Sequence, residues 1–86
     1  MKQYDVILSL KVQKSIKGVP DDYVVKIHKS LSFLAKNPRP FGCVKLAGSE
    51  NHYRIRVGVY RVIYSIKDDI LIVEVIKIDH RKNVYR

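Results

Sequence analysis

Arg54, Arg56 and Arg61 crowd into one stretch, YRIRVGVYR, and a second basic cluster, HRKNVYR, occupies positions 80–86. A guanidinium group is planar, always charged, and matches pairs of phosphate oxygens, so it clamps anions and makes a poor base. His80 adds a group that titrates near neutrality, and Tyr85 a ring that can stack on a base or orient a proton. Together with Arg81, Lys82 and Arg86 they amount to a kit for cutting a ribose phosphodiester. In that chemistry a base takes the proton of the attacking 2′-hydroxyl. Cations hold the charge on the pentacovalent phosphorus, and an acid protonates the leaving 5′-oxygen. Glu74 is the other acid–base group expected around this cluster, although pairing with Arg61 would occupy it. His28, His52 and His80 are scattered, the acids are not at ligand spacing, and the glycines stand singly. Neither a metal centre nor a phosphate loop is expected, and no cofactor is implied.

The elements around these residues change character near residue 40. Tyr4 to Leu8 reads as a strand, and Ser9 can cap a short helix carrying Leu10, Val12 and Ile16 and stopping at Gly18. Pro20 and the Asp21–Asp22 pair open a longer helix, with Val24, Ile27, Leu31, Leu34 and Ala35 at steps of three and four. It should end before NPRP at 37–40. Strands then follow closely: VKLAG (44–48) at an edge, YRIRV (53–57), YRVIYSIK (60–67) and ILIVEVIKI (70–78). Connections this short imply antiparallel neighbours.

A two-residue loop at Gly58–Val59 pairs Val57 with Tyr60, Arg56 with Arg61 and Arg54 with Ile63. A two-residue loop at Asp68–Asp69 would pair Ile63 with Glu74 and Arg61 with Ile76. Paired residues share a sheet face. One face then gathers Tyr53, Ile55, Val57, Tyr60, Val62, Tyr64, Ile66, Leu71, Val73 and Val75, an apolar set that two helices must cover. The other gathers Arg54, Arg56, Arg61, Ser65, Lys67 and Glu74, interspersed with Ile63, Ile72, Ile76 and Ile78. Arginines directly opposite one another repel, so Arg56 against Arg61 calls for an anion or for relief from Glu74.

The whole chain agrees with that reading. Eighty-six residues make one domain, 1–86, with Lys plus Arg at 17 against 8 acids and a net charge of +9. The excess points to a polyanion such as nucleic acid. One cysteine, Cys43, excludes an internal disulfide and suits a reducing, cytoplasmic setting. No apolar run reaches the roughly 18 residues of a membrane span, and the N-terminus does not read as a signal peptide.

The block YRIRVGVYRVIYSIKDDILIVEVIKIDHRKNVYR (53–86), with KLAGSENHYRIR and NPRP before it, resembles the RelE branch of the RelE/ParE toxins of type II toxin–antitoxin systems. The resemblance implies an α+β fold: an N-terminal strand, two helices, then an antiparallel sheet with the helices on one face, like microbial ribonucleases in outline. It implies a toxin that cleaves messenger RNA in the ribosomal A site without a metal or organic cofactor. Its partners would be a cognate antitoxin and the ribosome with its messenger RNA, with DNA reached only through the antitoxin. The antitoxin would have apolar surface to use beside residues 10–16. Carried over by position, the family's RNA-holding basic residues fall on Arg54 and Arg56. Its phosphate-binding arginines fall on Arg61 and Arg81, and its terminal aromatic on Tyr85. The best-described pattern has lysines where this chain has Arg54 and Arg56, and a lysine there has been proposed as the base. His80 is the alternative. Two other readings fit the same fold: a ParE-like poison of DNA gyrase, which generally lacks this basic set, and a non-catalytic nucleic-acid- or antitoxin-binding module.

Overall fold

The structure, a computed structural model, describes residues 3–80, so Arg81, Lys82, Tyr85 and Arg86 lie outside the described residues. Strand β1 (Asp5–Leu8) leads into α1 (Leu10–Ser15) and a single 3-10 turn at Ile16–Gly18. Helix α2 (Asp21–Lys36) follows, then β2 (Val44–Lys45), β3 (His52–Val57), β4 (Tyr60–Lys67) and β5 (Ile72–His80). Each helix begins and ends for a local reason. The Ser9 hydroxyl accepts from the Val12 N–H at 3.2 Å, capping α1. Asp21 and Asp22 sit in the first turn of α2, where the helix dipole favours carboxylates. At its far end Asn37 is already extended (φ −143°, ψ 98°), as the residue before Pro38 must be.

The sheet order is β1-β5-β4-β3-β2. Strands β2 to β5 pair antiparallel, while β1 pairs parallel with β5, Asp5 opposite Ile72. The two helices cover one face, α1 over β5 and α2 over β1 and β3. Val12, Ile27, Leu31 and Leu34 meet Val62, Tyr64, Ile66, Val73 and Val75 in that core, all of them buried. Every member of the expected apolar face is buried except Leu71, which falls in a turn.

The hairpin β3–β4 has the expected register, with Arg56 opposite Arg61 and Arg54 opposite Ile63. The next one does not. Its turn takes four residues, 68–71, between the pair Lys67 and Ile72, and Leu71 adopts a positive φ of 55°. Farther along, Ile63 opposes Lys77 and Tyr64 opposes Val75, leaving Ile76 as an extra, bulged residue in β5. Ser9 holds this bulge: its N–H donates to the Val75 carbonyl at 3.1 Å and its hydroxyl to the Ile76 carbonyl at 3.3 Å. The expected pairs Ile63–Glu74 and Arg61–Ile76 are therefore corrected to Ile63–Lys77 and Arg61–Asp79. The longer turn shifts the partner by two and keeps each residue on its face. The bulge adds one more and reverses the faces beyond it. Ile78, expected on the open side, is buried in the core instead.

Candidate nucleic-acid interface

Three rows of side chains cross the sheet on the face that carries no helix: His52–Ser65–Glu74, Arg54–Ile63–Lys77 and Arg56–Arg61–Asp79. Alternation along β3 puts His52, Arg54 and Arg56 on this side together. Three of the expected site residues, Arg54, Arg56 and Arg61, are thus brought onto one face.

The carboxylates nearby are already engaged. Glu74 pairs with Lys67 at 3.7 Å and Asp79 with Lys77 at 3.2 Å, so Glu74 does not relieve Arg61 as expected. Among the described residues, Arg54, Arg56 and Arg61 make no ion pair with any carboxylate. Arg61 is half-buried, and its Nε is the one buried side-chain polar atom there without a hydrogen-bond partner. A buried donor left unpaired costs about 1–3 kcal/mol.

His80 lies elsewhere. It belongs to the row Val57–Tyr60–His80 on the helix-covered side, and its ring meets Tyr60 edge-on with centroids 5.2 Å apart. Its expected place around the open face is corrected by the bulge at Ile76, which turns every later residue over. The histidine on the open face is His52, whose Nδ1 is hydrogen-bonded to the Ser49 hydroxyl. Its alternation with Arg54 and Arg56 in HYRIR was a signal for it. Lys77 and Asp79 reach this face only because the bulge brings them round, and the sign of it in the sequence is a lysine in line with Val73 and Val75.

A second polar cluster closes one end of the sheet. Arg39 donates to both carboxylate oxygens of Asp68, at 3.2 and 2.8 Å, and its Nε donates to the Tyr53 hydroxyl at 3.2 Å. Tyr4 donates its hydroxyl to Asp68 at 2.6 Å. Arg39, and after it Tyr4, hold the Asp68 carboxyl down at about 2. Beside them the buried Tyr64 donates to the Pro38 carbonyl at 2.8 Å, and burial pushes its phenol up. This cluster ties the NPRP segment to the N-terminal residues and the β4–β5 turn.

Among the described residues no group of three or more His, Cys, Asp or Glu is placed to hold a metal, and no helix is long and apolar enough to cross a membrane.

The family model described as "ParE toxin of type II toxin-antitoxin system, parDE" matches residues 6–85. The chain belongs to the RelE/ParE toxin superfamily. Within it, the RelE branch is the one its relatives occupy. A relative from Methanocaldococcus jannaschii that carries the name RelE1 is 31% identical over 87 residues, covering 98% of this chain and 97% of its own. The solved RelE–RelB complex of Pyrococcus horikoshii contains a chain 29% identical, with a TM-score of 0.83 over 94% of this chain and 97% of that one. Isolated RelE of Escherichia coli, 24% identical, shares the fold at a TM-score of 0.80, covering 95% and 90% of the two chains. Other solved RelE chains similar to this one, from Escherichia coli and Methanococcus jannaschii, are likewise in complexes with RelB.

Proposed function

We propose that this RelE-branch toxin is a ribosome-dependent endoribonuclease that cleaves messenger RNA in the A site and so inhibits translation. The observation carrying this reading is the row Arg56–Arg61, two guanidinium groups facing each other, neither paired with a carboxylate, one with a buried donor unmet. Such a pair is costly without an anion and well made for a phosphate whose charge grows as the 2′-hydroxyl attacks. Arg61 stabilises the pentacovalent phosphorus, with Arg56 beside it. Arg54 holds the strand one row along. Arg81 and Tyr85 are proposed to complete the clamp and orient the substrate, with Lys82 and Arg86 gripping the backbone. His80 remains a proposed proton carrier, which from the covered side must act beyond the sheet end. No cofactor is invoked. A cognate antitoxin, like the one bound to its solved relatives, is proposed to silence the toxin in the cytoplasm, using surface around Leu10, which is 75% exposed on α1. DNA is contacted only through it.

A second reading has its own support, since the matching family model is described for ParE toxins. One experiment separates the two. The chain is expressed without its antitoxin, and new 5′ ends are mapped on translated messenger RNA. Codon-positioned cuts lost in a folded Arg61→Ala variant are the expected result. Growth arrest with intact messenger RNA and damaged DNA would instead establish gyrase poisoning, and no arrest with tight RNA binding a binding module.

A further inference from the structure

Strand β2 pairs with β3 only through Val44–Arg54 and Lys45–Tyr53, so the β3 edge from Ile55 to Val57 is left uncovered. Beside that edge lies a cleft of about 300 Å³ between α2 and the Pro40–Phe41 segment. Its walls are unusual for a protein surface. Phe41 is fully exposed and Phe33 is 66% exposed, two aromatic rings left in water on facing elements. Lys29 and Arg56 are its charged lining residues, and no carboxylate lines it. Arg56 also belongs to the open-face row with Arg61, so one side chain borders both the phosphate-binding surface and the cleft.

We propose that this cleft receives an unpaired nucleobase from the RNA strand held on the open face. The inference rests on that face binding RNA, as proposed above. A strand running past Arg61 and Arg56 leaves the sheet over its uncovered edge. Its next base then meets Phe41, while Lys29 and Arg56 flank its phosphates. Stacking on an aromatic ring is tolerant of sequence because every base has a π face, and positive charge alongside tracks the backbone. Ser30 supplies a hydroxyl on the same wall that can reach a base edge. An acidic protein segment with apolar side chains would satisfy the cations and the rings as well, and the antitoxin measurement below separates it from a base.

The test is binding of a labelled single-stranded oligoribonucleotide, made uncleavable by 2′-deoxy substitution, to the full chain across a salt series. Phe41→Ala should weaken binding by about fivefold to a hundredfold, the range for one base–aromatic stack, without changing the salt slope. Arg56→Ala should lower that slope by about one. A single abasic site walked along the oligonucleotide should weaken binding to the native chain at one position and leave Phe41→Ala unaffected there. Phe41→Trp should restore affinity. Because Phe41 is fully exposed, thermal melting of Phe41→Ala should match the native chain. Native-like RNA binding by Phe41→Ala would overturn the proposal, as would an abasic penalty that persists in it. Loss of antitoxin binding alone in that variant would overturn it too, by assigning the cleft to a protein partner. Tight oligonucleotide binding by a native chain that cuts no translated messenger RNA would remove the ribonuclease reading and leave the stacking site standing. Failure of the native chain to bind any oligonucleotide would overturn the stacking site, while the ribosome-dependent ribonuclease reading stands or falls on the cuts in translated messenger RNA.

Discussion

Arg61 stands out because its position works against the fold that holds it. Its Nε is buried and unpaired, and another guanidinium faces it across the strand pair. Residues placed this way trade stability for a task. Arg61→Met keeps an unbranched apolar stem and removes both the unmet donor and the repulsion. It should raise the unfolding free energy by about 1 kcal/mol, while lowering messenger RNA cleavage by about a hundredfold or more, as loss of a charge-stabilising donor does. Denaturant unfolding and 5′-end mapping on the same preparation check the two halves. A variant that is both less stable and fully active would show that Arg61 is structural. His52 offers a second comparison at this scale, since it stands on the same face with its ring oriented by Ser49 and no role yet established.

At the level of elements, the tight turns fix which side chains reach the open face. Gly58 has a φ of +60°, and a Cβ there would lie 2.6 Å from the Tyr23 ring. Gly58→Ala should therefore cost at least about 1–2 kcal/mol from backbone strain alone, with more from displacing Tyr23 off Tyr60. Its thermal midpoint should fall by roughly 4–8 °C per kcal/mol. The cluster of Arg39, Asp68 and Tyr4 makes a different prediction. The Asp68 carboxyl is lowered from 3.8 to about 2, so its contribution is complete above about pH 4 and fades as pH falls towards 2. Asp68→Asn should lose that dependence, and acid titration of both chains by circular dichroism tests it. Most of this architecture was legible in advance. Ser9, Pro20, Gly58 and the alternation from Tyr53 to Ile66 each carry a local rule, and β4 emerged at its observed bounds. What escaped was β5. Its apolar alternation through Val73 and Val75 breaks at Lys77 and resumes one residue out of phase at Ile78, a local sign of the extra Ile76 that a straight two-residue period passes over. The bulge is set by a hydroxyl 67 positions earlier, at Ser9, and that kind of contact has no periodic signature. His80 and Ile78 were misplaced for that one reason.

Over the molecule as a whole, the +9 charge is unevenly spent. Asp68, Glu74 and Asp79 are held by Arg39, Lys67 and Lys77, which leaves the three arginines of the open face uncompensated. If that face holds single-stranded RNA through three phosphates, the logarithm of affinity should fall with the logarithm of salt at a slope of about −2. A slope near zero, measured by fluorescence anisotropy, would show that the charge is general solubility and not a binding surface. The order of the sheet has another consequence, for the time at which the protein becomes active. Among the described residues strand β1 has its only neighbour in β5, and Asp5 waits for Ile72, 67 positions further along. A chain still lacking β5 has no row Arg56–Arg61–Asp79 and no partner for its first strand. Pairing across so long a separation is also slow. Nascent chains stalled before residue 72 should be protease-sensitive and non-toxic. On the function proposed above, the chain acquires its site only once β5 has left the ribosome and paired with β4 and β1.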